Sequence, residues 1–123
     1  MGLFFLLLLI SGIVDLGRAI FTYMDLREAA QEGAAYGTVD LDINEIEKRV
    51  IDSSNVFITA DLSVSVVTST THPNPCLGDP ITVTVSHANF PLTMPFMGAI
   101  LGTQTLTITA SIEDTVLVPL CPP

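Results

Sequence analysis

From Met1 to Val14 the chain reads MGLFFLLLLISGIV, without a charge, and it then runs directly into Asp15-Leu16-Gly17-Arg18. Leu3 to Ile10 are all Leu, Phe or Ile. A helix here is apolar on every side, and such a helix has to be buried. A domain of the size this chain can build cannot surround it, so the burying medium is a membrane or other copies of the chain. Fourteen helical residues rise about 21 Å against a hydrocarbon core of about 30 Å. Spanning therefore draws in Leu16, Ala19, Ile20, Phe21, Tyr23 and Met24, and with them Asp15 and Arg18. Those two stand three residues apart on one helix face and can pair, which offsets part of a cost of about 2.5–3.5 kcal/mol or more for a lone charge at the bilayer centre. A cleaved signal peptide is the rival reading. No Lys or Arg precedes Leu3, and Asp15 stands where a small-residue cleavage site belongs, so a retained helix is expected.

After Arg18 the pattern becomes amphipathic without a breaker, and helix is expected to about Val39. Ala29, Gly33 and Gly37 form a file of small residues, with Ala30 and Ala34 beside it. Glycine inside a helix costs up to about 1 kcal/mol relative to alanine. Close approach of another backbone is the expected reason at Gly33, whereas Gly37 reads equally well as a fraying end. Asp40-Leu41-Asp42 opens a second, short helix with Asp42 and Glu45 at capping-box spacing. Its apolar stripe is Ile43, Ile46, Val50 and Ile51, and Lys48 and Arg49 are placed in its last turn. From Val56 the period changes to two. Val56 to Val66, Ile81 to Val85 and Leu106 to Ile112 alternate apolar with Ser, Thr or Asp, which predicts three antiparallel strands with one buried and one wet face. Thr115 to Val118 can add a short edge strand.

Thirteen acids against four bases give a net charge of −9. The bases are Arg18, Arg27, Lys48 and Arg49, with none after Val50. Such a tail offers no footprint for nucleic acid and no attraction to an anionic lipid surface. There is no phosphate-binding glycine loop, nucleophile elbow or CxxC. His72 and His87 sit beside turn residues and read as exposed structural histidines. No catalytic, cofactor-binding or metal-ligating residue is assigned. Cys76 and Cys121 are the only cysteines. In a chain with a membrane-type helix they suggest one disulfide formed outside the cytoplasm, worth about 4 kcal/mol in the chain-entropy picture.

Asn89 to Gly102 (NFPLTMPFMGAILG) is a connection without a charge, although loops are ordinarily polar. Phe90, Leu92, Met94, Phe96 and Met97 are the candidates for a subunit contact. The competing reading is that this segment folds back over an open side of the core.

The run GIVDLGRAIFTYMDLREAAQEGAAYGTV resembles the N-terminal helix of TadE-like proteins, from the tight-adherence branch of type IV pili. Asp15, Gly17, Arg18, Ala19, Tyr23, Ala29, Ala30, Glu32, Gly33, Ala34 and Tyr36 carry the likeness, and ITVTVSHANFPLTMPF with TLTITASI resembles the family's closing strands. The leader and early glutamate of pilin-like precursors do not precede Leu3, so no processing residue is assigned. The resemblance implies an α+β chain: residues 1–40 as a long hydrophobic, pilin-like membrane and filament-core helix, and residues 41–123 as an exported domain with a short helix and a small antiparallel sheet. It further implies a non-enzymatic structural subunit of an extracellular pilus serving adhesion. Such a subunit is held in the inner membrane before assembly, then polymerises with itself and other pilus components, with Asp15 and Arg18 paired in the helix core. The alternative is a membrane-anchored assembly factor that does not polymerise.

Overall fold

The computed structural model describes residues 1–54, 62–68, 75–92, 99–100, 102 and 104–117. One unbroken helix, α1 (Gly2–Gly37), takes up the first 36 residues after Met1 and is roughly 54 Å long. A second helix, α2 (Ile43–Ser53), follows, and then the strands β1 (Leu62–Thr68), β2 (Pro80–Pro91) and β3 (Thr105–Thr115). The strands form an antiparallel meander in the order β1-β2-β3. The second half of α1 lies across β2 and β3, and α2 packs beside it toward β1. The architecture is α+β, with the long apolar helix, short helix and small antiparallel sheet that the pattern implies.

Alternation decides which strand face is buried. Ile81, Val83 and Val85 of β2 are fully buried beneath α1, while Leu62, Val64 and Val66 of β1 and Ile108 and Ile112 of β3 pack at the edges of the same core. The opposite face is a lattice of hydroxyls, with Thr84 bonded to Ser111 at 3.1 Å and Ser86 to Thr109 at 3.0 Å. Leu106, expected to point inward, is 39% exposed at the end of its strand. Val56 to Asp61 lie outside the described residues. No added edge strand follows β3 at Val116 and Leu117. Their amides instead donate to the Asp79 carbonyl at 2.8 Å and the Thr38 carbonyl at 2.7 Å, tying the end of β3 to the end of α1. Val118 lies outside the described residues.

Helix α2 begins at Asp42, whose carboxylate accepts the Asn44 amide at 3.0 Å. The reciprocal half of a capping box is replaced: the Asp42 amide donates to Asp40 Oδ1 at 3.1 Å, so Asp40 does the work expected of Glu45. Ile46 and Val50 are buried, whereas Ile43 and Ile51 lie toward solvent at the stripe's margins. Lys48 and Arg49 sit mid-helix, since the last turn holds no base.

The core needs α1 to come very close. A Cβ on Gly33 would collide with Val50 Cγ2, and one on Gly37 would collide with Ile81 Cδ1 and lie 3.3 Å from Ile46 Cδ1. Both glycines are therefore packing residues, Gly37 included. What approaches them is the branched side chains of this chain's own α2 and β2. Among the described residues the close approach expected of a neighbouring backbone is made instead by side chains of the same chain.

Gly33→Ala should therefore lose about 1–2 kcal/mol, the overpacking cost less the helix-propensity gain. The Val50→Ala background should recover much of that loss, because the two changes share one space. Gly17 has open space around it, so Gly17→Ala should raise stability by up to about 1 kcal/mol. Thermal unfolding of the full chain in detergent reads all three.

Candidate functional site at the junction of helix and sheet

The stripe of α1 that faces the sheet starts near Asp15 and ends at Gly37, its buried members being Asp15, Leu26, Ala29, Ala30, Gly33, Ala34 and Gly37. Strand β2 runs antiparallel to this half of the helix, for Ile81 packs at Gly37 and Phe90 lies against Arg18. The lengths agree: nineteen helical residues rise about 28 Å, and nine strand residues span about 30 Å. The strand's far end is thereby set beside the acid–base pair of the helix.

At that junction the Asp15 carboxylate is almost wholly buried and lies 3.5 Å from Arg18 Nη1. The i, i+3 pairing read from sequence is thus formed, within one helix. The Arg18 guanidinium also sits 5.2 Å from the centre of the Phe90 ring, and Phe90 meets His87 edge-on at 6.2 Å between centroids. A β-bulge makes this possible. His87 pairs with Ile108 and Phe90 with Leu106, so β2 carries one residue more than β3 at this point. Asn89 absorbs it with φ 59°, a left-handed conformation that Asn tolerates better than most residues. The extra residue shifts the parity of the strand and turns Phe90, three residues after His87, back toward α1.

Two expectations change here. His87 is buried on the α1 side, and among the described residues its Nδ1 has no hydrogen-bond partner. Its alternation with Ile81, Val83 and Val85 was the signal that could have placed it. Phe90 is 5% exposed, so it belongs to the core junction and is closed to a subunit contact, because the bulge aims it inward. Leu92 is half-buried. Met94, Phe96 and Met97 lie outside the described residues. Cys76 is buried in a turn closed by the Asp79 amide on its carbonyl at 3.0 Å and by its own amide on Asp79 Oδ2 at 2.9 Å. Its expected partner, Cys121, lies outside the described residues, as does His72. Arg49 takes a role beyond helix electrostatics: its guanidinium stacks 4.1 Å from the Tyr36 ring centre and lies 3.6 Å from Glu32, joining α2 to α1. Among the described residues no cluster of His, Cys, Asp or Glu is arranged to hold a metal ion.

The other face of α1 is bare. Leu3 to Leu7, Leu9, Ile10, Ile13, Val14, Leu16, Ile20, Phe21, Tyr23 and Met24 are exposed. Because Asp15 turns to the sheet, the charge-free outward surface continues past it as far as Met24. The helix is long and apolar enough to cross a membrane, with a mean hydropathy of 2.1 over its best window, of which 6% is buried in the chain's own fold.

These features define a class: an apolar N-terminal helix whose second half serves as the core helix of a small antiparallel sheet. Residues 1–35 match the family model described as TadE-like protein, in agreement with the resemblance carried by Asp15 to Ala34. No curated protein and no solved structure matches. The family match stops near the end of α1, so it bears on the helix, and the sheet rests on its own geometry.

Arg18→Leu should destabilise the chain by about 1–3 kcal/mol, through loss of the guanidinium–ring contact and of the charged partner of Asp15. In a Phe90→Leu background the same substitution should cost less, the difference being the coupling between the two groups. Equal losses in both backgrounds, measured by denaturation in detergent, would show that ring and guanidinium act independently.

Proposed function

We propose that this chain is a structural, non-catalytic subunit of a Tad-type pilus. Helix α1 holds it in the inner membrane before assembly, and the same helix then bundles with those of neighbouring subunits in an extracellular filament that serves surface adhesion. The observation that carries this reading is the uncovered apolar face of α1, from Leu3 to Met24, lying within the segment that matches TadE-like proteins. A helix of this kind requires a lipid or protein surround along its whole outward face. Lipid supplies one and neighbouring helices supply the other, so the subunit exchanges one for the other on assembly. With Asp15 buried against the sheet and Arg18 drawn to it and to the Phe90 ring, that outward face stays free of charge in either surround. A Cys76–Cys121 disulfide belongs to the same reading, closing the exported domain.

The second reading, an anchored assembly factor that does not polymerise, is favoured by a different observation. Ala29, Gly33 and Gly37 are consumed by the chain's own core, so the small-residue file supplies no argument for contact between subunits. Immunoelectron microscopy of cells carrying the full chain separates the two. Label continuous along filaments is expected of a subunit, and label confined to the cell envelope is expected of an assembly factor. Phe21→Asp, on the most exposed part of the outward face, should abolish filaments while leaving the sheet folded. Peptide mapping of the exported protein without reduction should find Cys76 and Cys121 in one linked pair, and two alkylatable thiols would remove the disulfide.

A further inference from the structure

We infer that the β2–β3 end of the sheet is immersed in the membrane interface while α1 is in the bilayer, so that the domain binds lipid through its own tip as well as through its helix. This rests on the membrane-anchored reading of α1 and adds a second contact to it.

The depth follows from two landmarks on one helix. On the outward face of α1 the apolar surface reaches Met24, and the next exposed charges are Arg27 and Glu28. On the sheet-facing side Phe90 meets the helix at Arg18, six residues, or about 9 Å, nearer the apolar end. Strand β2 is still running toward the N-terminus of α1 when it reaches Phe90, so Pro91 and Leu92 lie farther in that direction. A bilayer that covers the outward helix surface to Met24 therefore covers the tip of the sheet as well.

The tip has the chemistry for that position. From Pro80 to Ile112 the chain contains no Asp, Glu, Lys or Arg. The acids of the hairpin stand at its opposite end, where Glu113 and Asp114 pair with Thr82 and Ile81 beside the end of α1. Those of α2 lie alongside the second half of α1. The domain is thus polarised, apolar and uncharged at the end nearest the bare helix and acidic at the other. Pro91 and Leu106 are exposed on adjacent rungs of β2 and β3 at this end of the sheet. The last described rung of the hairpin is closed, with the Leu92 amide donating to the Gln104 carbonyl at 2.9 Å and Gln104 Nε2 donating to the Leu92 carbonyl at 2.9 Å. That closure suits a hairpin end entering a region poor in water, where an unpaired backbone group is costly. Charged groups near the tip are limited, among the described residues, to the Asp15–Arg18 pair, which has no net charge.

The chain has no Trp, so single tryptophans report depth without background. Leu106→Trp, at the rung of Phe90, probes the tip, Val67→Trp the exposed far end of β1, and Ile10→Trp the bare helix. The full-length variants are reconstituted at one chain per nanodisc in phosphatidylcholine carrying a doxyl quencher near the glycerol end of the acyl chain, with iodide as the aqueous quencher. Trp at 106 should lose most of its emission to the lipid quencher and little to iodide, with a blue-shifted maximum, while Trp at 67 should show the reverse. Lipid quenching at 10 together with iodide quenching at 106 would overturn this inference and leave the membrane anchor standing. Iodide quenching at both 10 and 106 would overturn the anchor, and the tip contact with it. Should Leu106→Trp fail to fold, Pro91→Trp on the neighbouring strand carries the same two expectations.

Discussion

Gly33 and Gly37 set how near α1 can lie to α2 and β2, and the rest of the domain is arranged around that separation. With Val50 and Ile81 pressed against bare glycine backbone, the helix comes close enough for Leu26, Ala29, Ala30 and Ala34 to meet Val83, Val85 and Ala110 in one core. A side chain at either glycine would lift the helix away and open the space above β2. Close-packed interiors tolerate such changes poorly. The axial position matters equally: with Ile81 held at Gly37, the length of β2 brings Phe90 to Arg18, and the junction with the bare helix follows.

One helix thus belongs to two environments. Its second half is a core element of a soluble-type fold, with an apolar stripe on one side and Arg27, Glu28, Gln31 and Glu32 on the other. Its first half has no such partner. Asp15 and Arg18 mark the change between them and are paired on the sheet-facing side. The outward apolar surface therefore passes the charged motif uninterrupted. This reconciles a charged pair inside an apolar segment with the need to face lipid or other helices.

Much of this was legible in the residues. Period-two alternation located β1, β2 and β3, because each strand has one wet face and polar side chains on it. The start of α2 followed from Asp42. The extent of α1 followed from the absence of any breaker before Thr38. The partner of the small-residue file was not legible, since a sequence states that something approaches Gly33 without stating whether it is Val50 of the same chain or a neighbour. Phe90 escaped for a related reason. A bulge at Asn89 reverses strand parity, and Asn-Phe-Pro in a charge-free segment reads as loop until the extra residue is seen. His87 was obscured by its type: its place in the alternation was apolar, and its chemistry argued for solvent.

The central claim is that the second half of α1 is held by its own sheet, independently of membrane or neighbours. Hydrogen exchange of the full chain in lipid nanodiscs and in detergent tests it directly, because amides that open only when the domain unfolds share one exchange free energy. The amides of Leu26 to Gly37 should exchange at the same slow rate as those of β2 in both surroundings, and Gly33→Leu should accelerate both groups together. Rapid exchange of Leu26 to Gly37 while β2 stays protected would show that the sheet folds without the helix, and would contradict the account.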